Sequence, residues 1–158
     1  MSDPISGGCQ CGAVRFRVAE LGNPSICHCR MCQKAFGGFY GPLVTATGLE
    51  WTRGAPKIFN SSNKVKRGFC GDCGTPLTYD WGGDKEVAIG ALDDPTIATP
   101  TVQVNRNDKL AFVDTLHALP FREHEEHSTE DAFMKTIISY QHPDHDTTDW
   151  KPKVNRDE

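Results

Sequence analysis

Seven cysteines fall into three short groups: Cys9 and Cys11 as CxC, Cys27, Cys29 and Cys32 as CHCxxC, and Cys70 and Cys73 as CxxC. The grouping divides four plus three. Four thiolates close a tetrahedral zinc site, whereas three leave one coordination position free for chemistry. Other uses of clustered thiols fit less well. An odd count leaves one cysteine without a disulfide partner. The start, MSDPISGGCQ, has no basic stretch followed by an apolar one, and no apolar run approaches the ~18 residues of a membrane span. These features predict a cytoplasmic chain with no membrane partner, and in a reducing compartment clustered cysteines are metal ligands or catalytic groups more often than bridges. Cys70-Gly71-Asp72-Cys73 lies among glycines and a proline instead of opening the helix of a βαβ unit, which sets thioredoxin-like redox chemistry aside.

The length of 158 residues suits one modest core, and 37% apolar with 24% charged residues is the composition of a folded globular protein. Charge is unevenly placed. Through Asp80 there are nine Lys and Arg against five acids, so the cysteine-bearing half is basic and the remainder strongly acidic. Anionic zinc–thiolate centres call for nearby bases, and an acidic ligand would too. A pI of about 5.8 disfavours nucleic acid, for which a domain pI above ~9 is expected.

Alternation over Ala13 to Val18 predicts a half-buried strand with Arg15 and Arg17 on its solvent face. Further strands are expected at Phe39 to Thr45, Lys57 to Asn60, Val65 to Phe69, Thr75 to Trp81 and Glu86 to Leu92, separated by turn residues. The CHCRMCQKAFGG stretch should turn at the cysteines and form a short helix ending near Gly37. A later helix is announced by Ser128-Thr129-Glu130-Asp131, which resembles a capping box, with Phe133, Met134, Ile137 and Ile138 on one face and Pro143 as its stop. That face reads as a core-packing or dimer-packing surface. The polar, acidic segment from His142 onward is expected to fray or to await a partner. The prediction is a small, mostly β domain whose loops carry the metal.

Geometry pairs the groups. CxC and CxxC each present two thiolates, so Cys9, Cys11, Cys70 and Cys73 make a closed structural site tying the chain's start to its middle. Cys27, Cys29 and Cys32 then hold a second zinc with an exchangeable fourth ligand. Joining Cys29 and Cys32 to Cys70 and Cys73 is an alternative, but it leaves the CxC knuckle idle. Neighbours in an extended segment point oppositely, so His28 should support the loop and not ligate. His124-Glu125-Glu126-His127 and His142-Pro143-Asp144-His145 read as solvated polar segments.

Together GGCQCGAVRFRV, CHCRMCQKAFGG and FCGDCGTPLTY resemble the signature of the glutathione-dependent formaldehyde-activating enzyme (GFA) family, which includes centromere protein V. The similarity extends to about residue 122 through KLAFVDTLHALPF, dividing the chain into a GFA-like zinc-binding domain, 1–122, and a C-terminal helix and tail, 123–158. The resemblance implies small β-sheets arranged as a tent, with structural ligands at Cys9, Cys11, Cys70 and Cys73 and catalytic ones at Cys27, Cys29 and Cys32. Ala111-Phe112 departs from the Pro-Trp of many members, which bears on the nearby pocket wall.

The implied activity is a carbon–sulfur lyase that forms or cleaves a thiol–aldehyde adduct such as S-(hydroxymethyl)glutathione. Zinc-bound thiol would lose its proton near neutrality and attack the aldehyde. The expected partners are a small thiol such as glutathione with an aldehyde, and a second copy through the C-terminal helix. Arg67 and Lys34, close to the cysteine groups in sequence, are candidates for pairing a substrate carboxylate. The alternative is a non-catalytic zinc-binding module that recognises a macromolecular partner.

Overall fold

The computed structural model describes residues 4–123 and 128–153. His124, Glu125, Glu126 and His127 lie outside the described residues. Two sheets dominate. Three strands form the smaller sheet: β1 (Ile5–Gly8), β2 (Arg15–Val18) and β5 (Glu50–Arg53), in the order β1-β2-β5. The larger sheet contains β3 (Glu20–Cys27), β4 (Gly41–Thr47), β6 (Lys57–Asn60), β7 (Lys66–Phe69), β8 (Pro76–Asp80), β9 (Glu86–Ala88) and β10 (Val102–Val104), in the order β10-β3-β4-β9-β8-β7-β6. All its pairings are antiparallel except β10 on β3.

The core fills the space between the sheets. Phe16, Val44, Leu77 and Val87 are fully enclosed, and Phe16 meets Trp51 edge-on at 5.9 Å between ring centres. Helix α1 (Arg30–Phe36) follows β3 and packs against β4. It can approach because Gly41 faces it: a Cβ there would lie 2.9 Å from the Cβ of Cys32.

Four expectations change. Strands β1, β3, β5 and β10 carry no legible strand pattern: β1 is half glycine, and β3 holds a Gly-Asn-Pro run that survives as a register shift between Leu21 and Pro24. The stretch Glu86 to Leu92 leaves the sheet after Ala88 for a 3-10 turn at Ile89–Ala91. Helix α2 (Thr129–Met134) starts as predicted, the Ser128 hydroxyl accepting from the Asp131 amide at 3.1 Å, but it has six residues only. The Thr136 hydroxyl donates to the Phe133 carbonyl, which ends the helix, and Phe133, Met134, Ile137 and Ile138 are exposed instead of packed into a core.

The largest correction concerns the tail. Residues 141–150 lie back over the smaller sheet as a strap. The His142 amide donates to the Gln10 carbonyl at 2.8 Å, and the Trp150 indole donates to the Cys11 carbonyl at 2.8 Å. Asp146 accepts from Arg15 at 2.9 Å and Arg17 at 2.7 Å, and Arg53 donates to the Thr147 carbonyl. Arg15 and Arg17 do share a face, but the strap covers it, and Arg15 and His142 are each only 3% exposed.

Candidate metal centres

Cys9 and Cys11 sit in the turn between β1 and β2, and Cys70 and Cys73 in the turn between β7 and β8. Each turn closes on itself, through the Gly12 amide to the Cys9 carbonyl at 3.0 Å and the Gly74 amide to the Cys70 carbonyl at 2.9 Å. Gly12 has φ 77, a conformation that side chains resist, and a Cβ on it would lie 2.4 Å from the His142 ring. The four sulfurs all lie within 4.8 Å of one another. Cys9 and Cys11 are separated by 3.5 Å and Cys11 and Cys70 by 3.8 Å, too far for disulfides. Zn–S bonds of ~2.3 Å in a tetrahedron place sulfurs about 3.8 Å apart, so the donor set fits zinc. Backbone amides of Val14 and Asp72 donate to the sulfurs of Cys9 and Cys70, at 3.2 and 3.4 Å. One turn belongs to each sheet, so this centre joins the two sheets.

The remaining three sulfurs form a second cluster, also within 4.8 Å of one another. Cys27 ends β3, Cys29 caps α1 and Cys32 lies in its first turn. Each thiol has a donor. The Cys32 amide donates to Cys29 at 3.3 Å, the Asn105 side chain to Cys27 at 3.0 Å, and the Arg67 guanidinium to Cys32 at 3.4 Å. Hydrogen bonding from Cys32 pulls the Cys27 thiol down to about 5 against its burial, with help from Asn105, while the same contact and burial push Cys32 up. Cys27 and Cys32 are buried and Cys29 is partly exposed, leaving one side of the cluster reachable.

His28 is fully buried and outside the cluster. Its Nε2 donates to the Gln103 side-chain oxygen at 2.8 Å, so it braces the loop as expected. Gln33 completes the brace, donating to the carbonyls of His28 at 2.8 Å and Asp108 at 3.0 Å. Of the two substrate candidates, Arg67 is 7% exposed and lies against the cluster, its Nε bonded to Ser61 at 3.2 Å and its head over the Tyr79 ring. Lys34 is exposed on α1. Asn105, Gln33 and Gln103 escaped the sequence reading because nothing local marks them; Asn105 reaches a cysteine 78 positions away. Phe112, in the pair that departs from the family's Pro-Trp, meets Phe39 edge-on at 5.1 Å between ring centres.

Fold and sites together define a small, mostly β protein with one four-thiol and one three-thiol centre. The chain belongs to the glutathione-dependent formaldehyde-activating enzyme family, whose model matches residues 4–108. The crystal structure of a Rhodobacter sphaeroides protein shares the fold, with a TM-score of 0.50 and 22% identity over 63% of this chain and 99% of that one. No helix among the described residues is long and apolar enough to cross a membrane.

Proposed function

We propose that the protein is a zinc-dependent carbon–sulfur lyase that forms or cleaves a thiol–aldehyde adduct such as S-(hydroxymethyl)glutathione. Cys9, Cys11, Cys70 and Cys73 hold a structural zinc, and Cys27, Cys29 and Cys32 hold a catalytic one. The observation that carries this reading is the reachable three-thiol cluster, each of whose sulfurs already accepts a hydrogen bond. Residues 1–122 form the GFA-like unit, 123–158 extend it, and the cytoplasm is its compartment.

When bound at the trio, zinc supplies Lewis acidity that favours the thiolate form of an incoming thiol. The protein's residues set the conditions. Asn105 and Arg67 donate to Cys27 and Cys32 and would offset their negative charge as ligands. Lys34, exposed on α1, and Arg67, against the cluster, are the candidates for pairing a substrate carboxylate. In the forward direction the thiol loses its proton, a carbon–sulfur bond forms at the aldehyde carbon, and the carbonyl oxygen ends as hydroxyl; cleavage is the reverse.

The test compares zinc-loaded protein with a Cys29→Ser variant in glutathione and formaldehyde. Adduct should form faster with the unaltered protein, and equal rates for both and for buffer would refute the activity on that pair. The alternative is a binding module for a macromolecular partner or a second copy, which the exposed Phe133, Ile137 and Ile138 favour. A fourth protein ligand closing the trio's metal would decide for it.

A further inference from the structure

Around Arg67, whose guanidinium reaches the three-thiol cluster, two cavities of about 350 and 230 Å³ share Ala35, Phe59 and Arg67 in their walls. Arg30, Met31, Lys34 and Ser61 complete the larger, while Phe36, Phe69 and Pro76 extend the smaller into hydrocarbon. Phe59 is 59% exposed and Met31 50%, so large apolar side chains are held open in a concave surface. That is the usual character of a ligand groove.

Charge at this groove has one sign. No acidic residue lines either cavity, and Lys34 makes no ion pair among the described residues. Arg30 is turned toward Gln33, donating to its side-chain oxygen at 2.9 Å. Arg67 connects groove to cluster: a single guanidinium group spans from Ser61 in the groove wall to the sulfur of Cys32. A molecule with its ring on Phe59 and Met31 would bring its polar end to Lys34 and Arg67, the residue that reaches the Cys32 sulfur.

We propose that this groove selects a thiol with an apolar body and one carboxylate, of the aryl-substituted sulfanyl acid class, in preference to glutathione. The proposal rests on the trio being a thiol-binding metal centre. Glutathione is polar along its whole length. Its two amides and ammonium would lose water against hydrocarbon with few hydroxyls to replace it, whereas a phenyl ring gains by the same burial. Lys34 then pairs the single carboxylate.

Two arms separate the groove from the metal. The S-methyl ethers of 2-sulfanyl-3-phenylpropanoate and of glutathione have no free thiol, so calorimetric titration of each into the zinc-loaded full chain reads the groove. The phenyl acid should bind at least roughly tenfold tighter. Lys34→Glu should weaken it about fivefold without weakening its neutral amide, and Phe59→Ser should weaken acid and amide alike. Both positions are exposed, so both variants should fold. Equal or tighter binding of S-methylglutathione, or indifference to both variants, overturns the proposal. In the second arm the free thiols are added to cobalt-substituted protein and its absorption followed. If neither perturbs the spectrum, the open-centre reading falls and the groove's role toward thiols falls with it. If glutathione perturbs it at lower concentration than the phenyl thiol, the groove proposal alone falls.

Discussion

Asn105 has φ 59, alone among the described non-glycine residues in the left-handed region, and from that backbone its amide reaches the Cys27 sulfur. Asparagine tolerates this conformation better than most residues, so position and chemistry agree. Asn105→Leu should cost about tenfold or more in metal retention at the trio, read by the rate at which a chelator strips one metal, with the four-thiol metal unmoved. Asp93 carries a second residue-scale prediction. Burial alone would raise its carboxyl, but hydrogen bonds from Arg15 and Ser6 outweigh that and hold it below the usual range. Because the folded value lies under the unfolded one, the pair's contribution is complete above about pH 4 and lost as pH falls through the folded value. Asp93→Asn should therefore be less stable at neutral pH, by about 2 kcal/mol because Asp146 still pairs Arg15, and its acid decline should be shallower in denaturant titrations. The cysteine spacing made all seven sulfurs legible from sequence, since CxC and CxxC have few other uses. Their hydrogen-bond donors were not legible, because side chains such as Asn105 and Arg67 arrive from distant parts of the chain.

At the scale of elements, the strands that alternate were readable and those that do not were missed. Lys57 to Asn60 is reproduced end to end as β6, whereas β3 holds its place through pairing with β4 and β10 despite its glycine and proline. The strap shows the same limit from the other direction. Its residues are polar and acidic, a composition that suggests fraying, yet Asp146 answers Arg15 and Arg17 while His142 and Trp150 stack at 4.9 Å over Gly12. Composition cannot reveal a complement folded elsewhere. Trp150→Ala removes the indole bond to Cys11 and the ring contact, and should cost about 2–3 kcal/mol in thermal unfolding with faster proteolysis near residue 145, while metal retention at the trio stays unchanged.

Across the whole molecule the two centres should fail differently. The four-thiol centre joins turns from separate sheets, so a metal held there would bear on the entire fold, on the order of 10 kcal/mol by comparison with structural zinc sites. Cys70→Ser should abolish cooperative thermal unfolding, whereas Cys29→Ser should leave the transition close to that of the unaltered chain. The uneven charge of the two halves also finds a further answer, beside the thiolate centres and acidic ligand that the sequence suggested: part of the basic half binds the acidic tail. Trp150 contacts a carbonyl 139 positions earlier in the chain. During translation Cys11 must therefore wait, its knuckle uncovered, until nearly all of the intervening polypeptide has left the ribosome, and nascent chains are predicted to pass through a period of greater vulnerability to thiol oxidation than the finished protein.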